Sequence, residues 1–205
     1  MPSKNLIREY APESYYHIYN RGVEKRKIFL DDNDYIVFLG LLKRYLAPEP
    51  KFDRQDRLYA NYSENLELLA YCLMPNHFHL LIYQHDNLEA FTKLMRRVSL
   101  SYTIYFNKRY KRVGHLFQSH FKAKKIDNDI YLQHISRYIH LNPRDYETYK
   151  WSSLPYFLDG SEADWVKPGR ILELFWSKQD YLWFIDDYKD YKTSLSAIKS
   201  NLANY

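Results

Sequence analysis

Two histidines stand one residue apart in Met74-Pro75-Asn76-His77-Phe78-His79-Leu80-Leu81-Ile82. The segment opens on a turn-forming Pro75-Asn76 pair and continues as an apolar, strand-like run. Side chains alternate faces along a strand, so His77 and His79 point the same way and Phe78 points to the other face. That arrangement suits two imidazoles gripping one divalent metal. A second group lies in Arg137-Tyr138-Ile139-His140-Leu141-Asn142-Pro143. On a helix, Tyr138 and Asn142 sit one turn apart on one face. A metal, a phenol and a third polar ligand are the parts needed to attack a phosphodiester.

The elements that must position these groups can be read from periodicity. Tyr15 to Arg21 alternates and is aromatic-rich, which predicts a strand ending at Gly22. Asp31 to Tyr45 carries Tyr35, Ile36, Phe38, Leu39 and Leu42 at helical spacing behind an acidic first turn. Residues 47–63 are polar and proline-punctuated and read as a loop. Leu66 to Leu73 and His77 to Tyr83 form two apolar runs around a short turn, a β-hairpin. Asn87 to Asn107 is a second helix, with Phe91, Leu94, Met95, Val98 and Tyr102 on one stripe. Leu116 to Ile126 alternates as a fourth strand, Phe117, Ser119 and Phe121 on one face and Gln118, His120 and Lys122 on the other. Asp127-Asn128-Asp129 caps a third helix that runs to Asn142 and stops before Pro143.

This order predicts an α+β fold: an antiparallel sheet of four to five strands with two helices on one face, ferredoxin-like or RRM-like. The tyrosine-bearing helix covers the other face. Residues 1–150 are expected to form this domain. Residues 151–205 are expected to be a helical extension packed on it, since no Gly/Ser-rich linker separates the two.

Composition narrows the function. The 205 residues contain no apolar run long enough to span a membrane and no cationic, apolar leader, so a cytoplasmic protein without a membrane partner is expected. The single Cys72 rules out an intramolecular disulfide framework. No glycine-rich phosphate loop is present. The formal charge of +5 is unevenly spread. From Phe91 to Lys125 stand Lys93, Arg96, Arg97, Lys108, Arg109, Lys111, Arg112, Lys122, Lys124 and Lys125, with no Asp or Glu among them. A block of one sign beside abundant tyrosine is suited to a polyanion: charge for phosphates, rings for unpaired bases.

The chain resembles the single-tyrosine HUH endonucleases, and most closely the REP-associated tyrosine transposases with their IS200-like fold. The matching stretches are Tyr16-His17-Ile18-Tyr19-Asn20-Arg21-Gly22, the Met74–Leu81 run, Gly114-His115-Leu116-Phe117-Gln118, Ala123-Lys124-Lys125-Ile126, Arg137–Pro143 and Trp151-Ser152-Ser153. The resemblance implies that His77 and His79 bind a metal, that Tyr138 is the nucleophile and that Asn142 completes the metal site. It also implies cutting and rejoining of single-stranded DNA beside a hairpin of repeat type, through a 5′-phosphotyrosine, by a monomer or a homodimer. Two imidazoles and an amide suit Mg²⁺ or Mn²⁺, and the nitrogen ligands favour Mn²⁺.

Residue types alone do not separate Tyr138 from Tyr131 or Tyr146 in a chain with 22 tyrosines. Asn142 could equally be a helix cap. His134, one turn before Tyr138 on the same stripe, could relay a proton or touch phosphate as an outer residue of the site, although packing is its commoner role. His140 projects elsewhere and reads as structural. Arg96, Arg97, Lys108, Arg109, Lys111 and Arg112 are the expected contacts to hairpin phosphates, and Gln118 and Lys122 join them as expected DNA contacts. The competing functions are a hairpin-binding protein with a weak or silent site and a small-molecule metallohydrolase. The second lacks the further Asp or His ligands it would need.

Overall fold

A computed structural model describes residues 10–158 and 162–187. Among the described residues the sheet has four strands: β1 (Ser14–Arg21), β2 (Leu66–Met74), β3 (His77–Gln84) and β4 (Lys122–Ile126). Their order is β2-β3-β1-β4, and every neighbouring pair is antiparallel. With α1 (Asp32–Leu46) after β1 and α2 (Ala90–Arg109) after β3, this is the ferredoxin-like arrangement expected from the order of elements.

Helix α1 begins where the Asp31 carboxylate accepts from the Asp34 amide. Its apolar stripe and that of α2 bury Phe38, Leu42, Leu94, Met95, Val98 and Tyr102 against Tyr16, Ile18, Phe78, Leu80 and Ile82 of the sheet. The other face presents Tyr19, Ala70, Cys72, Leu81, Tyr83 and Ile126 to α3 (Asp129–His140) and to three short helices, α4 (Leu154–Leu158), α5 (Gly169–Leu172) and α6 (Lys178–Asp186). Leu154, Phe157, Ile171, Tyr181 and Ile185 from these short helices share that apolar cluster with the sheet. Residues 159–161 and 188–205 of the expected extension lie outside the described residues.

The fourth strand is shorter than its alternation suggests. The ladder with β1 begins only at Lys122, and Phe117 makes no more than an isolated bridge to Gly22. Residues 116–121 instead wrap the end of β1. Val23 donates to the Leu116 carbonyl, Gln118 donates from its amide to the Arg21 carbonyl, and Asn20 Nδ2 donates to the Ser119 carbonyl. Gly22 sits inside this crossing. A Cβ there would fall 2.2 Å from the Arg26 carbonyl oxygen, so only glycine fits. The Gly22 amide donates to the Asn76 carbonyl, which ties the end of β1 to the turn preceding His77.

Candidate active site

The antiparallel register decides which side chains gather on the α3 face. His77 lies opposite Arg21 of β1 and Met74 of β2, and His79 lies opposite Tyr19 and Cys72. On the outer strand, Lys122 pairs with Tyr19 and Lys124 with His17. Directly opposed residues share a face. His17, Tyr19, Arg21, His77, His79, Lys122 and Lys124 therefore all point toward α3.

The two histidine rings stand 5.1 Å apart between centroids and nearly perpendicular. His77 Nδ1 is 2.6 Å from Asn76 Oδ1, and its Nε2 is 3.1 Å from Asn142 Oδ1. Burial lowers the pKa of His77; the Asn142 oxygen, which could accept from a protonated Nε2, opposes that shift and the nearby Arg21 charge adds to it. A neutral imidazole carries one N–H. With that proton given to Asn76, Nε2 directs its lone pair at the space shared with the Asn142 oxygen. Two electron-pair donors about 3 Å apart match adjacent ligand atoms around a cation with bonds of about 2.1 Å. His79 is 1% exposed, and its pKa falls well below the ordinary value, first through burial and then through the neighbouring His17 and His77. The donor set fits a divalent metal: His77, His79 and Asn142 converge with no formal charge. Among the described residues no cluster of three or more His, Cys, Asp or Glu offers another.

Tyr138 stands edge-on to His79, ring centroids 5.3 Å apart, and to His17 at 6.1 Å. It lies on α3, which starts where the Asn128 side chain accepts from the Tyr131 amide at 2.8 Å. Asn142 follows one turn later, just beyond the Leu141 cap. The back of α3 is clamped. Arg137, fully buried, donates to the Phe184 carbonyl at 2.8 Å and lies over the Phe184 ring. His140 is held between Tyr181 Oη and Ser153 Oγ at 2.7 and 2.8 Å, and Gln133 donates to the Leu174 carbonyl. His140 is thus a packing residue, its pKa lowered to about 3 by burial. His134 turns to Arg137, 2.9 Å from its Nδ1, and to the Phe184 ring.

The expected DNA contacts divide by position. Lys122 shares the site face, and Gln118 accepts from Arg21 at 3.4 Å beside it. Lys108, Lys111 and Arg112 lie where α2 meets the loop leading back to β1, and Arg112 donates to Asn107. Arg109 is engaged elsewhere: its guanidinium reaches Asp31 at 2.5 Å and the fully buried Asp34 at 3.3 Å. Arg96 and Arg97 lie on α2, in the layer behind the sheet, and Arg97 donates to Tyr62 Oη, next to the start of β2. The structure therefore gathers Gln118 and Lys122 with the histidines and leaves Arg96, Arg97 and Arg109 apart from them. Two site neighbours had no expected role, His17 and Arg21. Strand alternation puts both on one face, but only the β1–β3 register shows that this face is that of His77 and His79.

Residues 58–142 match the model of a family described as Transposase IS200 like, a span that holds His77, His79, Tyr138 and Asn142. A solved structure of a REP-associated tyrosine transposase bound to a REP hairpin aligns over 80% of this chain and 92% of that one. Its TM-score is 0.57 at 14% identity, a likeness that shows the fold. A protein from Deinococcus radiodurans R1, described as a candidate transposase, aligns over 65% of this chain and 93% of its own. At 16% identity and a TM-score of 0.40 it adds nothing to that likeness. No curated protein matches the chain.

Proposed function

We propose, from the match of residues 58–142 to the IS200-like transposase model, that the chain is a metal-dependent single-stranded DNA endonuclease and strand transferase acting beside a DNA hairpin. The observation that carries the reading is the meeting of Tyr138, His77, His79 and Asn142 at one end of the α3 face. Tyr138 is the nucleophile. Its Oη bonds to phosphorus as the bond from phosphorus to the 3′ oxygen breaks. The phenol gives up one proton and the leaving 3′ oxygen takes one. The products are a 5′-phosphotyrosine and a free 3′-OH, which can reverse the step, so no separate energy source is needed.

His77, His79 and Asn142 are the residues that would hold the cation. Mg²⁺ or Mn²⁺ bound there supplies Lewis-acid polarisation of the scissile phosphate. Arg21, Gln118 and Lys122 line the same end of the sheet and are suited to the flanking phosphates. One chain supplies the nucleophile and all three ligands, which supports a monomer working in cis. Single-stranded DNA carrying a repeat-type hairpin is the proposed partner, in keeping with the hairpin held by the similar solved structure. Residues 1–150 form the catalytic unit and 151–205 its supporting extension. No helix among the described residues is long and apolar enough to cross a membrane, which is compatible with the cytoplasmic location we propose.

The test is a denaturing gel of the protein incubated with Mn²⁺ and hairpin-bearing single-stranded DNA from repeats flanking its own gene. A covalent adduct is expected with the wild type and absent with Tyr138→Phe. An adduct that survives the substitution would move the nucleophile to another tyrosine. Tight binding without adduct or cleavage would favour a hairpin-binding protein.

A further inference from the structure

Behind the two candidate ligands lies a third histidine. His17 is completely buried on β1, and its Nε2 is 2.9 Å from His79 Nδ1, the ring centroids 5.0 Å apart and the planes inclined by 21°. The Nδ1 of His17 has no hydrogen-bond partner among the described residues. The ring is enclosed by the fold and stands opposite Lys124 on β4, surroundings that disfavour a second positive charge, so it holds a single proton.

We propose that His17 is a positioning residue whose Nε2 accepts the Nδ1 proton of His79 and so keeps His79 Nε2 free of hydrogen for the metal. The inference rests on the reading of His77 and His79 as ligands. Two neutral imidazoles joined nitrogen to nitrogen share one N–H between them, so their tautomers are linked. If His79 donates, its Nε2 carries a lone pair and can ligate. If His17 donates, His79 Nε2 carries the hydrogen and cannot. Only the first arrangement suits a ligand, and it requires an acceptor at the position of His17 Nε2. Metal-bound histidines commonly give their second N–H to a carboxylate, a backbone carbonyl or water. Among the described residues, the nitrogen of His17 fills that role for His79, as the Asn76 oxygen fills it for His77.

The experiment measures Mn²⁺ affinity by the decrease of the free-ion EPR signal in wild type, His17→Gln, His17→Leu and His77→Ala, each checked for folding by circular dichroism. A glutamine side chain can bring a carbonyl oxygen close to where Nε2 stands, whereas leucine fills the space without an acceptor. His17→Gln is expected to bind within about threefold of wild type, and His17→Leu at least tenfold more weakly. If His17→Leu does not fold, His17→Asn takes its place, since its amide is too short to reach the Nε2 position. Affinity abolished in His77→Ala but kept in the variant lacking an acceptor would overturn the role of His17 and leave the metal site standing. Absence of Mn²⁺ binding in the wild type would overturn both.

Discussion

His77 Nε2 and Asn142 Oδ1 lie 3.1 Å apart although 65 residues separate them in the chain. This pair is where the β2–β3 hairpin meets the end of α3, so it reports directly on how the two halves of the site are spaced. Replacing Asn142 by alanine removes one proposed ligand while leaving the helix body intact. Mn²⁺ affinity is expected to fall at least tenfold, with hairpin binding within about twofold of wild type. Titration calorimetry and a DNA mobility-shift assay check the two halves of this expectation.

Arg109 is expected to matter for stability rather than for DNA. Asp34 is fully buried and receives the Leu30 amide, the hydroxyls of Tyr105 and Tyr110, and Arg109. Removing the cation leaves a buried carboxylate with fewer donors, at a cost of about 1–3 kcal/mol. Urea unfolding of Arg109→Ala should show that decrease, while affinity for hairpin DNA stays within about twofold. A large fall in affinity at unchanged stability would return Arg109 to the DNA-binding face.

Salt dependence distinguishes the two groups of expected DNA-binding residues. Removing one cation that neutralises a phosphate makes the slope of log affinity against log salt shallower by about 0.7 for a single strand. Lys122→Ala and Arg21→Ala should each reduce the slope by that amount. Arg96→Ala and Arg97→Ala, in the layer behind the sheet, should leave it unchanged. Equal effects from all four would extend the DNA path around the molecule.

Acid should weaken the fold before it reaches the carboxylate range. His17 and His140 both have pKa values near 3 in the folded state, through burial, against an ordinary value of about 6.5 when unfolded. Between these limits the unfolded chain binds protons that the fold excludes, so stability rises with pH. The contribution is complete above about pH 7 and drains away as pH falls from 6.5 toward 3, at about 1.4 kcal/mol per pH unit for each histidine. Urea midpoints at pH 7.5, 6 and 5 should decline in step, and His140→Gln should remove part of the decline. A midpoint constant over that range would contradict the burial of these rings.

The elements around the site were legible because each carries a strong local signal. The alternation of β1, the Pro75-Asn76 turn, the stripe of α2 and the Asn128 cap all act within a few residues. The histidine pair was read as a metal grip from strand alternation, whereas Tyr138 and Asn142 were assigned through the resemblance, since nothing local separates Tyr138 from the other tyrosines. What periodicity could not supply was register. His17 and Arg21 look like ordinary strand residues until β1 is laid against β3. The basic window likewise reads as one surface in sequence, yet folding turns Arg109 inward to Asp34 and carries Arg97 to Tyr62. Leu116 to Phe121 had the alternation of a strand but became a wrap, because the end of β1 offers backbone partners that a straight strand would miss.

Helix α3 is gripped from behind by Phe184, Tyr181, Ser153 and Leu174, none of which shares the histidine face. The distance between the proposed nucleophile and the two histidines is therefore set by a part of the chain with no chemistry of its own. A small displacement there would tilt Tyr138, the proposed nucleophile, relative to His77 and His79 on β3 while the sheet stayed in place. On the proposed reading, the placement of the nucleophile and the identity of the histidine ligands are thus set by different parts of the chain. The first can be tuned from the C-terminal helices without altering a single residue that meets DNA or metal.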